Sequence, residues 1–268
     1  MDYVFLLSLL VVGGGVGFLA GLLGVGGGMT MVPFMVMLFG VRDFPPGEIV
    51  KIAIATSLAV NLFTSLSSLR AHHQHGAVRM DLLKTMGLGA LIGTFLGANA
   101  AGALDDSILA GFFGLFVGYS AWQILKGRKP KPGRVVPGGL ALGLVGGCIG
   151  AISSLLGAGG GFLTIPFLTW CNVSMHHAVA TSAGLGFPIA LGGLVGYTLA
   201  GQGVEGLPTG SVGYIYLPAL VALASASVLT APWGARMAHR TDVSTLRRWF
   251  AVLLFCLAAY MLTRVDWW

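Results

Sequence analysis

Two glycine triplets, Gly26-Gly27-Gly28 and Gly159-Gly160-Gly161, are the residues of this chain best placed to hold a ligand. Each interrupts an apolar run and opens a short apolar segment. Glycine lets successive backbone N–H groups converge, and the N-terminus of a helix carries partial positive charge. Two such turns make a concavity for a small oxyanion that needs no buried Lys or Arg. The competing role is steric, because small residues let helices cross closely in lipid. Pro33 and Pro166 follow the triplets at equal distance and read as kinks or helix starts.

The hydroxyl pairs Thr56-Ser57 and Thr181-Ser182 lie near the starts of long apolar segments. A hydroxyl there either donates to an oxyanion oxygen or bonds back to its own helix. Asn61 follows Ser57 by one helical turn and shares its face. Its amide either completes a polar site or ties two helices together. The second copy has Gly186 at that place, so any site is asymmetric. Thr30 and Thr164, just after the triplets, either line the cradle or cap the short helices. The substrate-binding candidates are therefore Gly26, Gly27, Gly28, Thr30, Thr56, Ser57, Asn61, Gly159, Gly160, Gly161, Thr164, Thr181 and Ser182.

Histidine clusters at His72, His73 and His75 in a basic loop, and again at His176-His177 in the short loop before the segment that carries Thr181-Ser182. No Asp, Glu or Cys stands beside the first cluster to complete a metal set. It reads as a solvated loop, with pH sensing as the alternative. His176 and His177 lie nearer the candidate site, where a proton role is the minor option. All nine acids fall in loops or at helix ends, so no carboxylate offers itself as an intramembrane proton carrier. Lys51 is the cation nearest the apolar interior. Snorkelling to the interface beside Glu48 is its expected state, with anion steering as the alternative. No metal, no cofactor and no catalytic residue is expected. An enzyme is excluded, because neither HExxH nor GxSxG nor a buried nucleophile–base pair is present.

The elements that position these residues are membrane spans. The 268 residues are 56% hydrophobic and 9% charged, with a mean hydropathy of +0.87; soluble domains carry about 25% charged residues. Apolar segments run at 4–23, 29–40, 49–69, 83–103, 107–125, 136–156, 162–172, 178–200, 215–235 and 247–264. Most approach the roughly 20 residues that span a bilayer. Segments 29–40 and 162–172 do not, so each closes a glycine-broken hairpin that either crosses or re-enters. GLLGVGGGMTMVPF (21–34) and SLLGAGGGFLTIPF (154–167) are near copies, and Ala55-Thr56-Ser57 matches Ala180-Thr181-Ser182. Cys148, Cys171 and Cys256 sit in apolar stretches without disulfide or metal spacing, and read as small buried hydrophobes.

The order hairpin, helix, helix, helix thus occurs twice: residues 1–126 and 136–268, joined by the basic linker 127–135. Twelve of the fifteen Lys and Arg fall in the linker, at Lys126 just before it, or in the loops around Arg70–Lys84 and Arg236–Arg248. The excess of cations in cytoplasmic loops puts all three regions on that side. This requires an odd net number of crossings in each half. The expected fold is an all-α polytopic transmembrane bundle of two inverted repeats, with a cytoplasmic linker and both termini outside. The net charge of +6 serves topology, so nucleic acid is not an expected partner. The partners are a small anion and the lipid bilayer, with a homo-oligomer left open.

The doubled GxGGGxxxxP stretches (Gly24 to Pro33 and Gly157 to Pro166), each followed by an Ala-Thr-Ser helix, resemble the TauE/SafE family of sulfite-exporter-like permeases. The resemblance covers essentially the whole chain. It implies a bacterial or archaeal inner-membrane protein exporting sulfite or organosulfonates such as sulfoacetate by alternating access. A passive anion channel, or a permease for another small anion, is the alternative.

Overall fold

The computed structural model describes residues 3–23, 27–42, 44–74, 76–126, 133, 135–238 and 243–265. Its first half holds α1 (Tyr3–Leu23), α2 (Gly28–Gly40), α3 (Ile49–Gln74), α4 (Met80–Gly102) and α5 (Asp106–Lys126). Its second holds α6 (Gly139–Leu156), α7 (Gly161–Trp170), α8 (Met175–Ala200), α9 (Leu217–Ala238) and α10 (Val243–Leu262). A minimal antiparallel pair, β1 (Ser211–Val212) and β2 (Ile215–Tyr216), precedes α9. The chain is an all-α multi-pass membrane bundle, and among the described residues six helices are long and apolar enough to cross. With 13 and 10 residues, α2 and α7 reach only about 20 and 15 Å. Neither alone spans a hydrocarbon core of about 30 Å.

The breaks before these short helices have two physical causes. Gly157, which ends α6, and Gly160, which precedes α7, hold φ of +62° and +75°. Side chains other than glycine adopt that region only at a cost. Gly27 precedes α2 with an ordinary φ of −79°, so space rather than torsion demands glycine there. A Cβ at Gly27 would lie 2.6 Å from a Val16 methyl. At Gly28 it would meet the Gly157 carbonyl, so the two breaks touch.

Glycine stripes set the packing. Gly13, Gly17 and Gly21 of α1 lie in order against Leu223, Ser227 and Ala231 of α9, so these helices run parallel. Gly89, Gly93 and Gly97 of α4 lie likewise against Gly143, Gly147 and Ala151 of α6. Small residues every fourth position let the backbones approach closely, which is how helices associate where lipid is as apolar as a side chain. At the centre α3 and α8 run antiparallel, with Leu69 near Gly184, Ser65 near Gly186 and Leu58 near Gly193. Helices α5 and α10 pair antiparallel as well, Gly111 facing Val265 and Gly118 facing Ala258. Val32, Met35, Ile52, Ile54, Leu58 and Ile189 fill the core, while Leu88, Leu96, Leu140 and Leu144 face outward. In lipid those exposed leucines are at home.

Three expectations are corrected. Helix α3 continues to Gln74 until Gly76 (φ +64°) stops it, so His72 and His73 end a helix instead of lying in a loop; His75 is outside the described residues. His176 and His177 fall in the first turn of α8, which Ser174 caps, because that serine accepts from the His177 N–H. Lys51 does not snorkel. It is 5% exposed, because Glu48 neutralises it at 2.8 Å.

Candidate functional site

A cavity of about 480 Å³ lies between the two glycine breaks. Its walls include Gly27 from the first break, Gly159 and Gly161 from the second, Asn61 from α3 and Ser182 from α8. Five of the expected residues thus meet on one space. Gly28, Thr30, Thr56, Ser57, Gly160, Thr164 and Thr181 do not line it, and Gly26 lies outside the described residues. The first turns of α2 and α7 border the cavity, each with N–H groups that have no carbonyl four residues back.

The hydroxyls divide by task. Thr30 Oγ1 donates to the Gly27 carbonyl and Thr164 Oγ1 to the Gly160 carbonyl, both at 2.9 Å. These bonds brace each break against its own short helix. Thr56 Oγ1 accepts from the Tyr216 N–H, and Thr181 Oγ1 from the Arg79 N–H, both at 3.1 Å. These equivalent threonines therefore anchor the backbone just before α9 and just before α4. Ser57 Oγ (2.8 Å) and Asn61 Nδ2 (3.0 Å) both donate to the carbonyl of Gly157. The second break is fastened to α3 by two buried hydrogen bonds.

Among the described residues no hydrogen bond fastens the first break to α8; Gly24, the match of Gly157, lies outside them. Ser182, the counterpart of Ser57, makes no hydrogen bond with a described residue and stands in the cavity wall. Gly186 replaces the amide of Asn61 and is itself lined up against Ser65 and Gly159. The cavity runs between α3, α8 and α9. It reaches Ser67, Ser68 and His72 on the last turns of α3, Val179 on the first turn of α8, and Val228 to Pro232 near the end of α9. Those helix ends adjoin the regions carrying Arg70, Arg79, Lys84 and Arg236.

At the opposite ends of α2, α3 and α8 the bundle is closed by rings. Phe39 and Phe44 stack at 4.3 Å, and Tyr216 meets both edge-on at 6.1 and 5.3 Å. Tyr197 and Tyr214 form a second edge-on pair, and the Tyr197 hydroxyl donates to the Ser154 carbonyl at 2.9 Å. Burial, with a smaller contribution from Glu48, holds the Tyr214 phenol above its ordinary range. Burial does the same for Tyr216. Both stay neutral at physiological pH. Beside them Lys51 sits 5.6 Å from the Tyr214 ring, and Asp106 accepts from the N–H groups of Val50 (2.7 Å) and Lys51 (3.2 Å). A carboxylate at the start of α5 thereby caps α3, as charge at a helix N-terminus should.

Among the described lining residues none is Lys, Arg, Asp or Glu, and His72 is the titratable one. His177 is occupied elsewhere, with Nδ1 2.7 Å from the Ala77 carbonyl. Among the described residues no three His, Cys, Asp or Glu side chains come together as a metal would need. Sequence reasoning missed Gly157 as the acceptor at the break, and it missed Ser227 and His72 in the wall. The run Thr64-Ser65-Leu66-Ser67-Ser68 was the available signal, since four hydroxyls in five residues are unusual inside a membrane helix. Nothing singled out Ser227.

Residues 9–261 match the family described as "Sulfite exporter TauE/SafE". A "Probable membrane transporter protein" of Haemophilus influenzae is 32% identical over 260 residues, covering 97% of this chain and 98% of the relative. A probable membrane transporter protein of Methanocaldococcus jannaschii is 28% identical, covering 97% of each chain. One of Bacillus subtilis is 28% identical over 69% of this chain and 77% of its own length. No solved structure matches.

Proposed function

Because this chain belongs to the TauE/SafE family of membrane transporters, we propose that it exports small sulfur-containing anions, sulfite or organosulfonates such as sulfoacetate, by alternating access. The observation that carries the reading is the unequal treatment of two matched breaks. The second is fastened to α3 through Ser57 and the Gly157 carbonyl. Ser182, the counterpart of Ser57, makes no hydrogen bond with a described residue and stands in the wall of the cavity between the breaks. Equivalent elements in two different states are what one end of an alternating cycle looks like.

The halves act as inverted repeats in this proposal. Equivalent helices α3 and α8, and α5 and α10, run antiparallel, which supports an axis lying in the membrane plane. With basic loops at the cytoplasm, the cavity faces inward and the aromatic rings seal the outer side. Both termini then lie outside, in an inner-membrane protein whose basic linker is cytoplasmic. In the opposite state Ser182 would bond the first break, while Ser57 and Asn61 release the second. The ring closure also favours a carrier over a passive channel, since it interrupts any continuous pore.

Reconstitution into proteoliposomes tests this. Sulfite or sulfoacetate flux should saturate with concentration and show counterflow. Linear, non-saturating flux would replace the carrier by a channel, and absence of flux for every sulfur anion would remove the substrate assignment.

A further inference from the structure

One end of the bundle is sealed by a hydrogen bond whose matched residues at the other end stand apart around the cavity. Tyr197 on α8 donates to the Ser154 carbonyl near the end of α6 at 2.9 Å, and both residues are fully buried. Aligned on Ala55-Thr56-Ser57 and Ala180-Thr181-Ser182, the two repeats put His72 of α3 in register with Tyr197. Helices α3 and α8 are each 26 residues long, so no insertion disturbs that register. In the stretches 21–34 and 154–167, Gly21 of α1 is likewise the counterpart of Ser154. His72 and Gly21 both line the cavity. Resting on the inverted-repeat carrier proposed above, we infer that His72 is the cytoplasmic gating residue of transport. When the cavity closes to the inside, its imidazole donates to the Gly21 carbonyl, as Tyr197 now does to Ser154.

The acceptor suits the part. Ser154 and Gly21 fall within the last four residues of α6 and α1, where carbonyls find no N–H in their own helix. Such a carbonyl is costly to bury until a donor reaches it. Because the acceptor is backbone, glycine serves as well as serine. An imidazole N–H and a phenol O–H are both donors. Ser67 and Ser68 line the same mouth on α3, so the bond shuts the cavity at the end where these hydroxyls meet the cytoplasm.

The two gates differ in one property. A phenol keeps its proton throughout the physiological range, whereas an imidazole gains a second proton between about pH 8 and about pH 5. An imidazolium drawn into a closed gate carries its charge out of water. Among the described residues, the charged or titratable groups at the neighbouring helix ends are Arg70 and His73 of α3, Arg79, Asp81 and Lys84 around the start of α4, His176 and His177 of α8, and Arg236 of α9. Asp81 is the one carboxylate in that set, and Arg79 holds it at 2.6 Å. None of them offsets a buried imidazolium. Closure to the inside therefore goes with neutral His72, and acid holds the gate open.

The experiment is counterflow of saturating sulfite or sulfoacetate in proteoliposomes of the full-length protein. His72→Phe should slow counterflow by about threefold to twentyfold, the worth of one interhelical hydrogen bond in a membrane. His72→Tyr, which supplies the phenol of the second half, should keep the rate within about twofold. Sulfoacetate counterflow by the unsubstituted protein should fall by about tenfold from about pH 8 to about pH 5, and His72→Tyr should remove that fall. Maleimide labelling gives a second readout. A cysteine at position 68, in a chain without native cysteines, should be protected in Tyr197→Phe, which weakens the outer seal. It should react again in Tyr197→Phe/His72→Phe and stay protected in Tyr197→Phe/His72→Tyr. Counterflow unchanged in His72→Phe, or a pH profile unchanged in His72→Tyr, would overturn the gate while leaving transport standing. A loss in His72→Tyr as deep as in His72→Phe would overturn it too. Absence of sulfite and sulfoacetate counterflow in the unsubstituted protein would instead overturn the transport reading on which the inference rests.

Discussion

Removing the two donors that hold the second glycine break should tip the transporter toward its opposite state. In Ser57→Ala/Asn61→Ala the Gly157 carbonyl loses hydrogen bonds of 2.8 and 3.0 Å. Interhelical hydrogen bonds in membranes average about 0.6 kcal/mol and reach about 1.7. Leaving a buried carbonyl unpaired adds to that loss. Together the substitution should destabilise the observed arrangement by about 1–3 kcal/mol, a shift of about fivefold to 150-fold in the ratio of the two states. In the opposite state proposed above these bonds are released, so it would not be weakened in step. Labelling by a membrane-impermeant maleimide reads the shift, after Cys148, Cys171 and Cys256 are replaced. A cysteine at position 68, in the cavity mouth, should label more slowly in the double variant. A cysteine at position 44, within the ring closure, should label faster. Unchanged rates at both positions in a folded, expressed double variant would refute the reasoning, since the bonds would then be indifferent to which side is open.

Other outcomes follow from the same geometry. Gly93→Ala places a methyl group on the Gly147 backbone, and should cost about 1–3 kcal/mol as overpacking and lower the thermal midpoint by several degrees. Gly15→Ala, with nothing within 4 Å, should leave that midpoint unchanged. Gly160→Ala combines a φ of +75° with a contact 2.5 Å from Ile189, so it should destabilise the fold. Gly159→Leu, whose Cβ has open space to 3.6 Å, should instead fold and fail to transport, as measured by proteoliposome flux. Asp106→Asn weakens the cap on Val50 and Lys51 by about 1–2 kcal/mol, visible as a lowered midpoint in a thermal-shift measurement.

Much of this architecture was legible because lipid imposes strong rules on sequence. Span length and glycine interruption gave the long helices and the breaks before α2 and α7. The cavity walls were partly legible, in Gly27, Asn61, Gly159, Gly161 and Ser182. What sequence could not show was how each hydroxyl would be used. Ser57 and Ser182 occupy matched positions, yet one bonds Gly157 and the other lines the cavity. A one-dimensional repeat carries no mark of that inequality. The small residues of α1 and α4 signalled close packing but not their partners, since the stripes on α9 and α6 lie more than a hundred and about fifty residues away in the chain. The cap that Asp106 supplies to α3 was hidden for the same reason, being 56 residues from Val50. The β1–β2 pair before α9 was absent from the expected elements, because four residues of strand leave no periodicity to read.

The most direct measurement is anomalous diffraction from crystals soaked in 2-bromoethanesulfonate, whose bromine reports where a chain-bearing sulfonate rests. The expected peak lies inside the cavity, within van der Waals reach of Val179 or Val228. A peak instead in the opposite-face hollow beside Arg42, Gly206 and Arg264, with the cavity empty, would contradict the assignment of the glycine-bounded space as the substrate site.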